Sequence, residues 1–485
     1  MRVPGTKRGR QETSAVVSAR LSGHVALEAH ENGKIVAWFD GFSAGLGTFS
    51  EEVADLAQQL RTGLALDSFA PDSEIHHLVE RLARHGLLEY CLAHTDDGED
   101  LVVIEPQIAA YWPGTPRLDN ADVLVLSRFA YMRRRGDALV LESPRAGALF
   151  KICDPKIAAA VALLSTPQQV EQLRQDDFPA VELLALLLDC QILFKIETAG
   201  NNGLRADEGD DNLVLWDFHD LLFHTRSTEG RHANPLGGVY PYAGDITPLP
   251  AVRRRWPGRK TELDKVSDVH SEVLSPFEKL LRERHSTRDF DDERPITFAE
   301  LSRFLDSIAR VLAKWKSRVD LGGGGGPMFT YAARPYPAGG ASYELELYLA
   351  VNHCEGLARG FYHYDAGGHA LVAIGAQTEE LHALLTGAEL AMGAPAKPQI
   401  LITIAARFGR VSWKYSSIAY SLILKDVGVL MQTFYLMATD MGLGGCAIGT
   451  ANIEHFAKMT GIEFHVEGPV GQFAMGRGSI SEVSG

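Results

Sequence analysis

The sequence predicts an α+β protein: two winged-helix-like modules, then a larger C-terminal domain built as a mixed sheet with buried helices. Three observations carry this reading. A shift of 105 residues superposes Leu78, Leu82, Leu87 and Leu88 on Leu183, Leu187, Ile192 and Leu193, a weak internal repeat ending in a strand. The run 199–212 (AGNNGLRADEGDDN) is rich in Gly, Asn and Asp and reads as a break between two halves. Beyond it, the continuous apolar run 399–406 (QILITIAA) precedes a long helix with two apolar stripes, so both are expected to be buried on most sides.

Taken in order, residues 1–18 are expected to be disordered, and the basic Met1–Arg10 lacks the apolar core of a signal peptide. Module one spans 19–118. In it Ser50 caps a helix carrying Val53, Leu56 and Leu60, and a second helix carrying Ile75, Leu78 and Leu82 stops at Gly86 before the strand 87–92. Module two spans 119–199: a hairpin turning at Gly136-Asp137, helices near 155–164 and 180–190, and a strand at 192–196. Residues 200–268 read as a linker and an extended wrapping segment, rich in aromatics and prolines from Trp216 onward. The last domain spans 269–485. It opens a helix with the capping box Thr297-Phe298-Ala299-Glu300, with Leu301, Phe304, Leu305 and Ile308 facing inward. The five consecutive glycines Gly322 to Gly326 are not followed by the Lys-Ser/Thr of a P-loop and read as a loop.

Charge narrows the function classes. The net charge is −15, and residues 1–205 hold 20 Lys+Arg against 28 Asp+Glu, so 20 − 28 gives −8. This speaks against nucleic acid and anionic membranes as partners, although a winged helix raises the DNA-binding reading. The run Arg133-Arg134-Arg135 is a small patch, best explained as a solvated hairpin face. Five scattered cysteines show no metal-ligand spacing, so no metal is expected and buried free thiols in a cytoplasmic protein are. No run of about 18 consecutive apolar residues predicts a membrane span.

Several runs could carry chemistry. Arg284, Ser286 and Arg288 alternate, so an extended segment puts them on one side, where they suit a phosphate; a surface ion-pair cluster would look the same. Arg334-Pro335-Tyr336-Pro337-Ala338-Gly339-Gly340 makes a tight turn whose backbone can approach a flat ligand, or an ordinary loop before the strand 344–351. Trp413-Lys414-Tyr415 precedes the long helix 417–441, in which Asp426 stands among apolar residues, either paired or solvated at a cavity. Gly442 ends that helix, and Gly444 and Gly445 follow as backbone without side chains. Arg477 ends a terminal strand and is a further phosphate ligand candidate.

These runs in this order resemble the nitroreductase-like flavoproteins, and more closely their azoline-oxidising branch, the streptolysin-type dehydrogenases and cyanobactin oxidases. The resemblance covers about 214–485 and includes Trp216-Asp217-Phe218-His219-Asp220, Arg334 to Ala341, Gly360 to Asp365 and Lys414-Tyr415. It implies an FMN site. Arg284, Ser286, Arg288 and Arg477 would hold the phosphate, Gly444 and Gly445 would run beside the isoalloxazine ring, and Pro337, Ala338 and Gly339 would reach it from the partner of a homodimer. Lys414 and Tyr415 match the family's catalytic pair. Ala338 stands where relatives often have Ser, so a hydroxyl contact is missing there. The implied reaction turns a thiazoline or oxazoline of a ribosomal peptide into a thiazole or oxazole, with a cyclodehydratase acting before it. Removing the ring proton needs a base: Tyr415 as a phenolate favoured by the neighbouring ammonium, or Lys414 with Tyr415 orienting it. The alternatives are an NAD(P)H-dependent nitro or quinone reductase on the same fold, and a flavin-free scaffold binding through the N-terminal modules, which resemble peptide-binding winged helices.

Overall fold

The computed structural model describes residues 15–95, 98–175, 178, 180–196, 210–234, 237–263, 274–322 and 325–479. The expected disorder of 1–14, much of the 199–212 run and part of the glycine run lie outside them. The chain divides into two units: unit 1 is 1–226 with 230–233, and unit 2 is 227–229 with 234–485.

Unit 1 joins its two sequence modules in one sheet. Seven strands lie in the order Leu64–Ala65, Ala15–Leu21, Leu88–His94, Asp100–Pro106, Ala148–Ile152, Ala138–Glu142, Tyr131–Arg135. The seam is the antiparallel pairing of Asp100–Pro106 with Ala148–Ile152. One apolar core runs through both modules, from Ala15 to Leu193. Residues 15–18, expected to be disordered, belong to an edge-proximal strand paired with Leu88–His94.

The repeat has a physical basis in helix ends. Leu87 N–H donates to the Leu82 carbonyl at 3.0 Å, and Ile192 N–H donates to the Leu187 carbonyl at 2.9 Å. In each case the residue before it is left-handed, Gly86 at φ 66° and Gln191 at φ 56°. Both are the 6→1 closure of a Schellman turn, which swings the chain into a buried strand. The Arg133–Arg135 run is no basic patch, because Arg133 pairs with buried Glu142 at 2.7 Å, Arg135 with Glu105 at 2.5 Å and Arg134 with Asp137 at 3.6 Å. Residues 218–227, expected to be extended, form a helix that buries Leu221, His224 and Thr225.

Unit 2 has a six-stranded sheet in the order Ala370–Ile374, Gly360–Asp365, Leu345–Val351, Ile400–Arg407, Glu467–Gly476, Gly444–Ile448. All its pairings are antiparallel, where the sequence suggested a mixed sheet. Helices cover both faces, so Glu467–Gly476 is buried along its whole length. One face packs Leu381, Leu385 and Phe456 from the helices Thr378–Met392 and Ile453–Thr460. The other face receives the central helix Ala419–Asp440, whose Phe434 ring sits 5.2 Å from Phe473 and 5.7 Å from Phe304. The capping box of Phe298–Ala309 forms as expected.

Of the two stripes on the central helix, Ile423, Val427, Leu430 and Phe434 are buried, while Leu424, Met431 and Tyr435 are half-buried and Gly428 is exposed. By length and composition alone this helix could cross a membrane, and a third of its most apolar stretch is buried in unit 2. Lys425 and Asp426 interrupt that stretch. The five cysteines carry no disulfide, and four of them are buried.

Candidate active site

The predicted site residues gather in two clusters along the central helix. The first lies at its C-terminal half. The helix Pro276–Glu283, started by the capping box Ser275–Glu278, ends at Arg284. From there the chain runs extended, which sends Ser286 and Thr287 to opposite sides. The Ser286 hydroxyl meets the Tyr435 hydroxyl at 2.9 Å, and that same hydroxyl accepts the Ala447 N–H at 2.8 Å. The Arg284 guanidinium lies over the Tyr435 ring at 5.1 Å. Arg288 is exposed, and neither it nor Arg284 has a carboxylate partner among the described residues. Thr287 is buried, with its N–H on the Gly445 carbonyl at 2.9 Å.

Packing explains the two glycines here. A Cβ on Gly444 would strike Thr287, and one on Gly445 would strike the Phe473 ring. Arg477 does not join the cluster. Its guanidinium instead donates to both Glu300 oxygens at 2.8 and 2.9 Å and to the Arg294 carbonyl. Burial works to raise the Glu300 carboxyl, but the Thr297 N–H and Arg477 outweigh it and hold the group below its ordinary range. Gln399 fixes this strand end: its Oε1 accepts the N–H of Ile296 and of Arg477, at 2.9 and 3.0 Å.

The second cluster lies nine residues toward the helix N-terminus, from Tyr435 to Asp426, about 13.5 Å of helical rise. It is built on the turn that carries Pro337, Ala338 and Gly339. Gly339 N–H donates to Asp426 Oδ2 at 2.8 Å. Lys414 Nζ donates to the Gly340 carbonyl at 3.1 Å. Gly340 is left-handed at φ 59°, and a Cβ there would collide with both Lys414 Nζ and the Tyr415 hydroxyl. Thus Lys414, Tyr415 and the turn converge. Lys414 also lies 5.8 Å from the Tyr331 ring, and Trp413 stacks on Phe329 at 5.4 Å. Arg410 ties this segment down through the carbonyls of Ser342 and Thr330, each at 3.0 Å.

Asp426 is indeed paired. Its neighbour, besides Gly339, is the carboxyl of Glu344, a residue with no exposed surface. Burial pushes the Glu344 carboxyl up to about 8, with the charge of Asp426 adding to it. Burial raises Asp426 as well. The sequence reading gave no site role to Glu344 or Tyr435, and it placed Gly340 in the turn without naming its partners. Asp426 in an apolar helix was the one available signal.

A separate group was missed too. His76, His77 and Glu80 on the helix Glu74–Arg84 bring ligand atoms within 4.8 Å of one another, where no cluster with metal-ligand spacing was expected.

Residues 281–477 match the nitroreductase family, and residues 124–233 match the cyanobactin oxidase ThcOx family. The second match begins well ahead of residue 214, where the sequence motifs placed the start of the resemblance. A Methanocaldococcus jannaschii protein named as a nitroreductase is 31% identical over 173 residues, covering 36% of this chain and 78% of that protein. Among solved structures, the Escherichia coli microcin synthetase McbBCD complex with truncated pro-MccB17 bound is 19% identical over 56% of this chain and 96% of the matched chain, at a TM-score of 0.40. A Ralstonia eutropha protein described as a nitroreductase is 20% identical over 45% of this chain and 88% of that one, at 0.31.

Proposed function

Since the chain belongs to the nitroreductase family and is an oxidoreductase, we propose that it uses FMN to oxidise thiazoline or oxazoline rings of a ribosomally made peptide to thiazoles or oxazoles. The observation that carries this reading is the convergence of Lys414 Nζ and the Tyr415 hydroxyl on Gly340. The cyanobactin oxidase match at 124–233 supports the azoline assignment.

The residues present fit FMN. Arg284 and Arg288 lack carboxylate partners among the described residues and stand with the Ser286 hydroxyl, as a phosphate requires. Arg477 would join them only by leaving Glu300. Gly444 and Gly445 belong to the edge strand of the sheet beside this cluster. Hydride acceptance is the chemistry that bound FMN supplies.

The chain itself must take the ring proton. The Gly340 bond holds Lys414 next to the Tyr415 hydroxyl, so one of the two accepts the proton and the other orients it. The two clusters of one chain are set apart along a helix. We assign one site to two copies of the chain, with Arg284, Ser286 and Arg288 from one and the Pro337–Gly339 turn, Lys414 and Tyr415 from the other. The half-exposed apolar stripe of the central helix would be covered in that homodimer. Peptide recognition falls to unit 1, and a cyclodehydratase would supply the azoline.

The match of 281–477 to the nitroreductase family also supports an NAD(P)H-driven nitro or quinone reductase. The deciding experiment adds a thiazoline peptide anaerobically to the yellow protein. Bleaching of the flavin with a 2 Da loss from the peptide, on the order of one per FMN, is the expected result. Bleaching by NADH or NADPH alone would replace it with the reductase.

A further inference from the structure

Two buried carboxyls lie beneath the turn that holds Lys414. Glu344 has no exposed surface and Asp426 is 7% exposed. Apart from its own backbone N–H, no donor among the described residues reaches the carboxyl of Glu344. Ionised carboxylates only accept hydrogen bonds, so the two can bond to each other only when one holds a proton. With both ionised, two like charges would face each other out of water.

The groups around the pair are few. Arg334 and Arg410 are the nearby cations, Tyr336 is a buried phenol, and Lys414 and Tyr415 stand beyond the turn. Lys425, next to Asp426 in sequence, is exposed and bonds Ser421 instead. Asp426 Oδ2 then does a second job. It holds Gly339 N–H, and the adjoining Gly340 carbonyl holds Lys414 Nζ.

We propose that Glu344 and Asp426 share one proton and serve as positioning residues: the pair anchors the Pro337–Gly340 turn and, through the Gly340 carbonyl, fixes Lys414. The role of Lys414 in turnover rests on the proposed function; the anchoring does not. Neither carboxyl touches the reacting atoms. Loss of the shared proton at alkaline pH sets them against each other, loosens the turn and releases Lys414.

The test compares Asp426→Ala, Asp426→Asn and Glu344→Gln, each reconstituted with FMN. Asp426→Ala leaves Gly339 N–H without its acceptor. It should lower kcat by about tenfold with KM little changed, and Lys414 should react several-fold faster with an amine-labelling reagent, read by mass spectrometry. Asp426→Asn keeps an oxygen for Gly339 and should restore most of both signals. Glu344→Gln should delete the infrared carbonyl band of a protonated carboxylic acid seen in the wild type at pH 7, and the alkaline decline of kcat with it. An Asp426→Ala protein with wild-type labelling, or a wild type without that band, would overturn the proposal. If Asp426→Ala does not fold, the band and the Glu344→Gln pH profile decide alone. Labelling and infrared spectra need no azoline. A wild type that shows both signals but leaves a thiazoline peptide unchanged therefore refutes the azoline reading alone, and kcat is then read on NADH-driven nitro reduction.

Discussion

Two sets of charged groups, one in each unit, handle charge in opposite ways. In unit 1 several part-buried arginines meet carboxylates, as Arg477 meets Glu300 in unit 2. Arg20 binds Glu89 at 2.8 Å and Asp100 at 3.0 Å, Arg135 binds Glu105, and Arg226 shares Glu142 with Arg133. In unit 2 Arg284 and Arg288 have no carboxylate among the described residues, while Glu344 and Asp426 are buried against each other. Paired charges stabilise one geometry. Carboxyls left unmatched inside a fold weaken it, and they cluster where a ligand or a reaction uses them. The contrast assigns these ion pairs of unit 1 to structure and makes the unmatched groups of unit 2 the candidates for function.

Removing the pair at the turn should break function alone. Lys414→Ala and Tyr415→Phe are each expected to cut azoline oxidation by at least about 10²-fold, while the protein stays yellow and its urea midpoint holds. Loss of FMN from either variant would make the pair structural. Unit 1 offers the reverse case. Glu142→Ala strips two arginines and the Tyr131 hydroxyl of a shared acceptor with 2% of its side chain exposed. It should destabilise unit 1 by about 3 kcal/mol, read by urea unfolding, with FMN affinity unchanged.

The unmatched cations come next. Arg284→Ala with Arg288→Ala should weaken FMN by about 10-fold to 100-fold, the loss of one or two charge-assisted hydrogen bonds. The same double variant tests whether a site spans two copies. Mixed and re-equilibrated with Lys414→Ala, it should recover about a quarter of wild-type activity, because half the dimers are mixed and each carries one intact site. No recovery would place both clusters in one subunit's site.

Local features were legible in the sequence, and pairings across the fold were not. The helix cap at Thr297, the buried stripe through Phe434 and the helix end at Gly442 follow from neighbouring residues. Lys414-Tyr415 stood out as a candidate pair because the two adjoin. Glu344 and Asp426 lie 82 residues apart, and Ser286 and Tyr435 lie 149 apart, so no spacing rule connects them. Arg477 read as a phosphate ligand from its type, and its bond to Glu300, 177 residues away, was not legible. The repeat at 78–88 and 183–193 was visible because both copies use the same helix closure, whereas the sheet joining them depends on strands outside the repeat.

The smallest effect concerns stability against pH. Glu344 has its carboxyl raised in the folded chain to about 8, chiefly by burial, from an unfolded value of 4.5. Between these values the folded state holds a proton that the unfolded chain has released. Stability then falls as pH rises, because the unfolded state binds fewer protons. The contribution is complete below about pH 4.5 and is lost by about pH 8. Glu344→Gln carries no titrating proton, so the wild type should lose stability relative to this variant as pH rises across that window. Urea midpoints of unit 2 at pH 5 to 9, on the order of one measurement per pH unit, read the slope. Parallel wild-type and variant profiles would mean that Glu344 stays ionised in the folded chain, and the contrast between the units would then rest on the free arginines alone.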